Sequence, residues 1–110
     1  MATAKRTIRG EKYNIENLID EAITTADAGK LDTTAADAHL RRQGHTAPTA
    51  ELVNRVARDM AILAVMQRQT GATFTGQLGK ISFDNRDRAI AQCNAYLDRR
   101  NQGQRSRWGK

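Results

Sequence analysis

Two adjacent arginines and two polar residues surround a turn between two predicted helices. Arg41 and Arg42 end the first helical pattern, and Thr49 and Asn54 lie at the opening of the second. Guanidinium groups suit phosphate oxygens, to which they donate paired hydrogen bonds. Hydroxyl and amide side chains can hydrogen-bond to base edges in the major groove of DNA. We therefore expect Arg41 and Arg42 to contact phosphates and Thr49 and Asn54 to contact bases.

A second set of basic residues lies at the C-terminal end of the chain. No acidic residue follows Asp98, and the cations there are Arg99, Arg100, Arg105, Arg107 and Lys110. A flexible segment of this kind gains affinity for nucleic acid by releasing the counterions condensed on phosphates. Trp108, the only tryptophan, can stack on a base. We expect these cations and Trp108 to bind nucleic acid.

Residues that catalysis or metal binding would require form no recognised pattern. His39 and His45 are six residues apart across a glycine, so they do not share one helix face, and Cys93 is the only cysteine. Gly79 and Lys80 lack the upstream glycine and the following serine or threonine of a phosphate-binding loop. We expect neither an enzyme nor a bound metal or cofactor.

The net charge of +6 originates in the C-terminal two thirds of the chain. Residues 1–37 hold five basic and seven acidic residues, a net charge of −2, whereas residues 38–110 hold thirteen basic and five acidic residues, a net charge of +8. A surface of that sign attracts polyanions. Nucleic acid is the favoured partner, DNA before RNA or the ribosome. An acidic protein, bound by a plasmid or phage accessory factor, is the alternative.

The composition is that of one globular domain. The 110 residues are 39% hydrophobic and 27% charged, and the low aromatic content of 5% favours helices packed through small side chains. The longest apolar run, seven residues, is far shorter than the ~20 residues of a membrane span, so we expect no membrane contact. One cysteine and a start without a leader-like segment indicate a cytoplasmic protein.

Apolar residues spaced three and four apart predict four helices. They cover residues 15–28, 34–43, 49–69 and 85–99, with Asn14, Thr34, Thr46 or Thr49, and Asp84 as the capping residues. Glu16, Asp20 and Asp27 fall on the outer face of the first helix, where they would repel phosphate. That helix is therefore expected to be scaffold.

The second and third predicted helices form a helix-turn-helix outline around Gly44 and Pro48. Residues 73–83 place β-forming residues on both sides of a glycine loop, which predicts a hairpin. In a winged helix this hairpin is the wing, and Lys80 would reach the DNA backbone. The other interpretation is an irregular connection that buries the apolar side chains of Phe74, Leu78 and Phe83.

These patterns together predict a mainly α domain of about four helices with a helix-turn-helix-like pair and a short hairpin. It occupies residues 13–100, between a flexible basic arm at residues 1–12 and a flexible basic tail at residues 101–110. The expected function is DNA binding by a regulator of transcription or an accessory factor. A ribbon-helix-helix arrangement with residues 5–9 as its strand is a weaker interpretation, because Ile8 is the only apolar residue there.

One further segment is too apolar to lie exposed to solvent on every side. Residues 60–66, from Met60 to Met66, are apolar on every side of the predicted helix. Either other elements of the chain pack around this segment, or it is the seam of a homodimer.

Overall fold

A computed structural model describes the backbone of residues 5–108 and the side chains of residues 5–74 and 76–101. Within that range, the chain forms a two-strand hairpin, four α-helices and one 3₁₀ turn. In order they are β1 (Lys5–Ile8), β2 (Glu11–Asn14), α1 (Ile15–Ala28), α2 (Thr33–Arg42), α3 (Ala50–Thr70), the 3₁₀ turn (Thr75–Gln77) and α4 (Arg86–Trp108). The predicted class, a mainly α domain with a short hairpin, is confirmed.

The longest fully described helix, α3, is capped at both ends by hydrogen bonds of neighbouring residues. The Thr49 hydroxyl accepts a hydrogen bond from the Leu52 N–H at 3.1 Å. At the other end Gly71 adopts the left-handed conformation, with φ of 75°, and its N–H donates to the Gln67 carbonyl at 2.8 Å. Both α1 and α2 pack against α3. The helix is thus the element around which the others are arranged.

The apolar segment at residues 60–66 is covered mainly by its own chain. Ile62, Leu63, Val65 and Met66 are buried, whereas Ala64 is exposed. The side chains that cover them come from α1, the hairpin, α4 and the connection after α3. Intramolecular packing therefore accounts for most of this segment, and a homodimer through what remains stays a prediction.

The hairpin lies at residues 5–14 and not at residues 73–83. Its strands pair antiparallel, with Ile8 opposite Glu11, and a two-residue turn joins them. Arg9 and Gly10 have φ of 51° and 83°, which is the sign pattern of a type I′ turn. Because β2 stands between β1 and α1, the ribbon-helix-helix order of one strand followed directly by a helix is wrong.

Residues 73–83 form the irregular connection and not a wing. They hold the 3₁₀ turn and one isolated bridge between Leu78 and Ile81. Phe74, Ile81 and Phe83 are buried, with exposures of 0 to 2%. Burying such side chains stabilises the fold by about 1.5–3 kcal/mol each, whereas an unsupported hairpin is marginal. Of the two interpretations of this segment, the structure has the irregular connection and not the wing, and burial of these side chains is the physical reason.

Two helix caps lie one or two residues away from the predicted ones. Asp32, and not Thr34, caps α2 by accepting from the Ala35 N–H at 2.9 Å. Asn85, and not Asp84, caps α4 by accepting from the Arg88 N–H at 3.0 Å. The helix α4 also continues beyond residue 99, because arginine and glutamine favour a helix and no proline interrupts it.

No helix within the described range is both long enough and apolar enough to span a membrane.

Candidate functional site

Arg58 of α3 binds the acidic end of α1. Its guanidinium donates to both carboxylate oxygens of Asp27, at 2.9 and 3.2 Å, and to the carbonyl oxygen of Phe83 at 3.1 Å. This two-point contact is the strong geometry for an arginine–carboxylate pair. One side chain therefore joins α1, α3 and the connection before α4.

Arg86 of α4 makes the corresponding contact at the other end of α1. It donates to both carboxylate oxygens of Asp20, at 2.7 and 2.9 Å, and to Glu16 at 3.2 Å. The hydrogen bond from Arg86 lowers the pKa of Asp20 below its ordinary value. Glu16, Asp20 and Asp27 of α1 are thus bound by arginines of α3 and α4, and the scaffold role expected of α1 stays a prediction.

These contacts change how the charge asymmetry of the sequence should be read. Arginines from the basic C-terminal part of the chain neutralise acids of the N-terminal part. Every ion pair among the described side chains uses an arginine, and none uses a lysine. The cations left for a partner are therefore fewer than the net charge suggests, and their position matters more than their number.

The predicted helix-turn-helix residues lie at the N-terminal end of α3. Arg41 is engaged within the turn, since it pairs with Asp37 at 2.8 Å and donates to the Thr46 carbonyl at 3.2 Å. Thr49 is the N-cap of α3. Arg42 and Asn54 are exposed. Of these predicted contacts, Arg42 and Asn54 are the side chains without an internal role.

Lys80 is exposed on the connection between α3 and α4. Its N–H donates to the Gln77 carbonyl at 2.9 Å, so the backbone there closes the 3₁₀ turn. Because no wing surrounds it, the structure supplies no hairpin that would carry Lys80 to a DNA backbone.

The hairpin docks at the opposite end of the molecule, where α3 ends. Arg6 pairs with Asp98 of α4 at 2.8 Å. Arg9 donates through Nη1 to the Gly71 carbonyl oxygen at 2.8 Å. A cation at this position also meets the negative end of the α3 dipole. The turn residue Arg9 is therefore fixed in place by tertiary contacts.

A small cavity of about 90 Å³ separates the hairpin turn from α4. We call it the notch. Its lining residues are Thr7, Ile8, Arg9, Gly10, Leu97, Arg100 and Asn101. None of them is acidic, and two carry guanidinium groups. The notch is thus a concave site with two cations and no carboxylate in its lining.

More cations are exposed on the same two elements. They are Arg99 on α4 and Lys5 and Lys12 on the hairpin. Of the acids on these elements, Asp98 is paired with Arg6, whereas Glu11 accepts only from the neutral Tyr13 hydroxyl at 3.1 Å. We refer to Lys5, Arg9, Lys12, Arg99 and Arg100 as the basic end.

The predicted nucleic-acid contacts therefore fall into two groups that the fold separates. The 21 residues of α3 span roughly 30 Å, with the turn carrying Arg42 at one end and the basic end at the other. The backbone of Arg105, Arg107 and Trp108 continues α4, but their side chains lie outside the described residues, as does the whole of Lys110.

The sequence did not assign Lys5, Arg9 and Lys12 to the site. The signal that could have found them is the alternation of outward and inward side chains over residues 5–8, directly before Arg9 and Gly10. It is weak because arginine is an unusual first residue for a type I′ turn, in which asparagine or aspartate is preferred.

Cys93 lies in the core and is 0% exposed. Burial raises the pKa of its thiol to about 12, so the reactive thiolate is suppressed. Cys93 is therefore a small residue of the hydrophobic core. Among the described residues, no three histidine, cysteine or acidic side chains come together as a metal site.

No protein-family model matches the chain, and comparisons with curated proteins and with solved structures find no match either.

Proposed function

We propose that the protein binds nucleic acid, and duplex DNA in preference, with a backbone phosphate held in the notch between Arg9 and Arg100. The observation that carries the proposal is the lining of the notch, which contains two guanidinium residues and no acidic residue. Guanidinium forks match the geometry of phosphate oxygens.

One side of the notch is organised before any ligand arrives. The Arg9 side chain is held by its hydrogen bond to Gly71, whereas the helix fixes only the backbone of Arg100. Ordering two free arginine side chains would cost conformational entropy on binding, and here part of that cost is already met by folding. Lys5, Lys12 and Arg99 add longer-range attraction around this contact.

The turn between α2 and α3 supplies the second contact in this proposal. Arg42 would bind phosphate, and Asn54, with Thr49 beside it, would approach base edges. The length of α3, roughly 30 Å, corresponds to about nine base pairs of duplex. In this arrangement the basic end provides affinity and the α2–α3 turn provides sequence preference. A role in transcription regulation or as an accessory factor follows from the same proposal.

The test compares two double variants that remove the same charge. Arg99→Gln with Arg100→Gln removes two cations of the basic end, and Lys30→Gln with Arg88→Gln removes two exposed cations outside it. Anisotropy of a labelled duplex should show roughly tenfold or greater weakening for the first pair and little change for the second. Circular dichroism establishes that both variants are folded. Equal loss in both pairs would contradict a localised site.

A third double variant separates affinity from preference. Arg42→Gln with Asn54→Ala should alter which duplex sequence is preferred, by about 1–3 kcal/mol for a base contact, and Arg99→Gln with Arg100→Gln should weaken all sequences alike. Tighter binding to single strands or to RNA than to duplex DNA would contradict the preference for duplex DNA and would make RNA or a single strand the proposed ligand. Binding only to an acidic protein would replace it.

A further inference from the structure

A groove runs along α3, between α2 on one side and the connection to α4 on the other. It consists of two chambers of about 350 and 240 Å³. His39 and Leu78 line both chambers, so the two are adjacent and share a wall. The groove is separate from the notch, which lies at the hairpin.

The larger chamber is apolar. Met60, Leu63 and Ala64 of α3 form one side, and Leu78 lies opposite. Ala64 is exposed, so nothing in the described chain closes the chamber over it. The hydrocarbon part of a ligand would remove this surface from water.

The smaller chamber carries excess negative charge. Asp59 and Asp84 line it, with Arg55 as the cation of the same chamber. Arg55 lies 3.6 Å from Asp84, which is a loose ion pair. The neighbouring Arg58 is committed to Asp27 and to the Phe83 carbonyl. Asp59 is thus in no ion pair among the described side chains, although the nearby charges of Arg58 and Arg55 act to lower its pKa.

Asp59 is also short of hydrogen-bond partners. Its Oδ1 atom is buried and has no partner among the described residues. Burial, and secondly the charge of Asp84, raise the pKa of Asp59 to about 6. A buried carboxylate in this state gains most from a cation that donates hydrogen bonds.

We propose that this groove binds a small organic cation with an apolar body, whose ammonium or amidinium group meets Asp59 and whose hydrocarbon part occupies the chamber at Met60 and Ala64. The combined chamber volume lies within the range of roughly 300–1,000 Å³ that is usual for small-molecule sites. An apolar lining with few convergent polar groups is also typical of such sites.

The wall formed by α2 can adjust to the ligand. The residues that α2 buries are Ala36 and Leu40. A helix anchored through so few apolar contacts opens at lower free energy than a core helix.

The experiment uses octylamine as the probe, with octanol and octanoate as matched probes of the same chain length, in calorimetric titrations of the full protein. We expect octylamine to bind roughly tenfold more tightly than octanol, and octanoate to bind most weakly, because one charge-assisted hydrogen bond distinguishes these ligands. Equal affinity for amine and alcohol, or tighter binding of octanoate, would overturn the proposal.

Two variants locate the ligand. Asp59→Asn should abolish the preference for amine over alcohol, whereas Glu51→Gln, an exposed carboxylate outside the groove, should preserve it. Ala64→Trp should fill the apolar chamber and weaken octylamine binding at least tenfold, whereas Ala91→Trp on the exposed face of α4 should not. Amine binding that is unchanged in both groove variants would place the ligand elsewhere and refute the assignment.

Discussion

At the residue scale, Asp59 is the acidic side chain of α3 whose ionised form is destabilised by its surroundings in the folded protein. It is partly buried, and its Oδ1 atom lacks a hydrogen-bond partner among the described residues. The charged and titratable groups around it are Arg55 and Arg58 on α3, Asp84 on the connection and His39 on α2. Burial and Asp84 raise the pKa of Asp59 to about 6, against an ordinary value of 3.8.

The raised pKa fixes the sign of a stability prediction. The Asp59 carboxyl binds its proton more tightly in the folded state than in the unfolded state, so protonation of Asp59 stabilises the fold. This contribution is complete below the ordinary pKa and is lost as pH rises through about 6. Asp59→Asn should therefore stabilise the protein at neutral pH, by about 1 kcal/mol after allowance for the solvent-exposed part of the side chain.

Urea unfolding at pH values of about 4 and about 7.5 measures this effect. The gain from Asp59→Asn should be present at the higher pH and should shrink at the lower one. Glu51→Gln, at an exposed position of the same helix, serves as the control and should change little at either pH. A gain of equal size at both pH values would contradict the ionisation argument.

Residue-scale features were predictable from sequence where their partners are close along the chain. Asn14 caps α1 through an N–H three residues away, and Thr49 caps α3 in the same way. Arg58 and Asp27 are separated by 31 positions, and Arg86 and Asp20 by 66. No local pattern relates such residues, so these bridges could not be read from the sequence.

At the scale of elements, the contact between the hairpin turn and the end of α3 joins two residues with positive φ angles. Arg9 has a positive φ that non-glycine residues seldom adopt, and its hydrogen bond to the Gly71 carbonyl holds it there. Gly71 is itself left-handed, and a Cβ atom at this position would lie 2.7 Å from Nη1 of Arg9. The two unusual backbone positions therefore depend on one another.

Gly71→Ala tests this dependence. The substitution places a Cβ in a left-handed residue and displaces the Arg9 guanidinium, so we expect a loss of about 1–2 kcal/mol or more in the free energy of unfolding. Gly76→Ala is the matched control, because φ there is not positive and no atom lies within 4 Å of the added Cβ. Denaturant unfolding that shows the same loss for both variants would refute the role assigned to Gly71.

Leu63→Ala tests the centre of the fold. Leu63 is 4% exposed within the core, so truncation should cost about 2–5 kcal/mol through lost burial and a cavity. Ala64→Ser, at the exposed neighbouring position, should change stability by less than about 0.5 kcal/mol. A loss below about 0.5 kcal/mol for Leu63→Ala would show that this part of α3 is not buried.

The sequence predicted the bounds of an element well where apolar residues form a continuous stripe along it. The bounds of α1 agree with the prediction because Ile15, Leu18, Ile19 and Ala22 all face the core. The hairpin was misplaced because its turn depends on the tertiary contact between Arg9 and Gly71. The connection at residues 73–83 resembled strands locally, but burial of Phe74 and Phe83 decided its conformation.

At the scale of the whole molecule, the fold sorts the charges of the sequence into two populations. Arginines such as Arg58 and Arg86 stabilise contacts between helices, and their partners are acids of α1. Two cations of the basic end, Arg9 and Arg100, line a notch that has no acidic lining residue. Charge counts along the sequence could not relate Arg9 to Arg100, because only the fold places these two residues on the same cavity.

This division predicts a particular salt dependence. If binding rests on phosphates neutralised by the basic end, at least four contacts are expected from its five cations. Each contact contributes roughly −0.9 to the slope of log affinity against log salt, so the slope on duplex DNA should be about −3.6 or steeper. If all the arginines were paired with acids of the same chain, none would neutralise DNA phosphates. No counterions would then be released from the DNA, and the affinity would depend little on salt.

The affinity for a labelled duplex across a series of salt concentrations is therefore the most direct test of nucleic-acid binding at the basic end. We expect a linear plot with a slope of about −3.6 or steeper, which becomes shallower by about 1.8 in the variant that carries Arg99→Gln and Arg100→Gln. Binding that is undetectable even at low salt, or a slope near zero that the variant leaves unchanged, would contradict the proposed function.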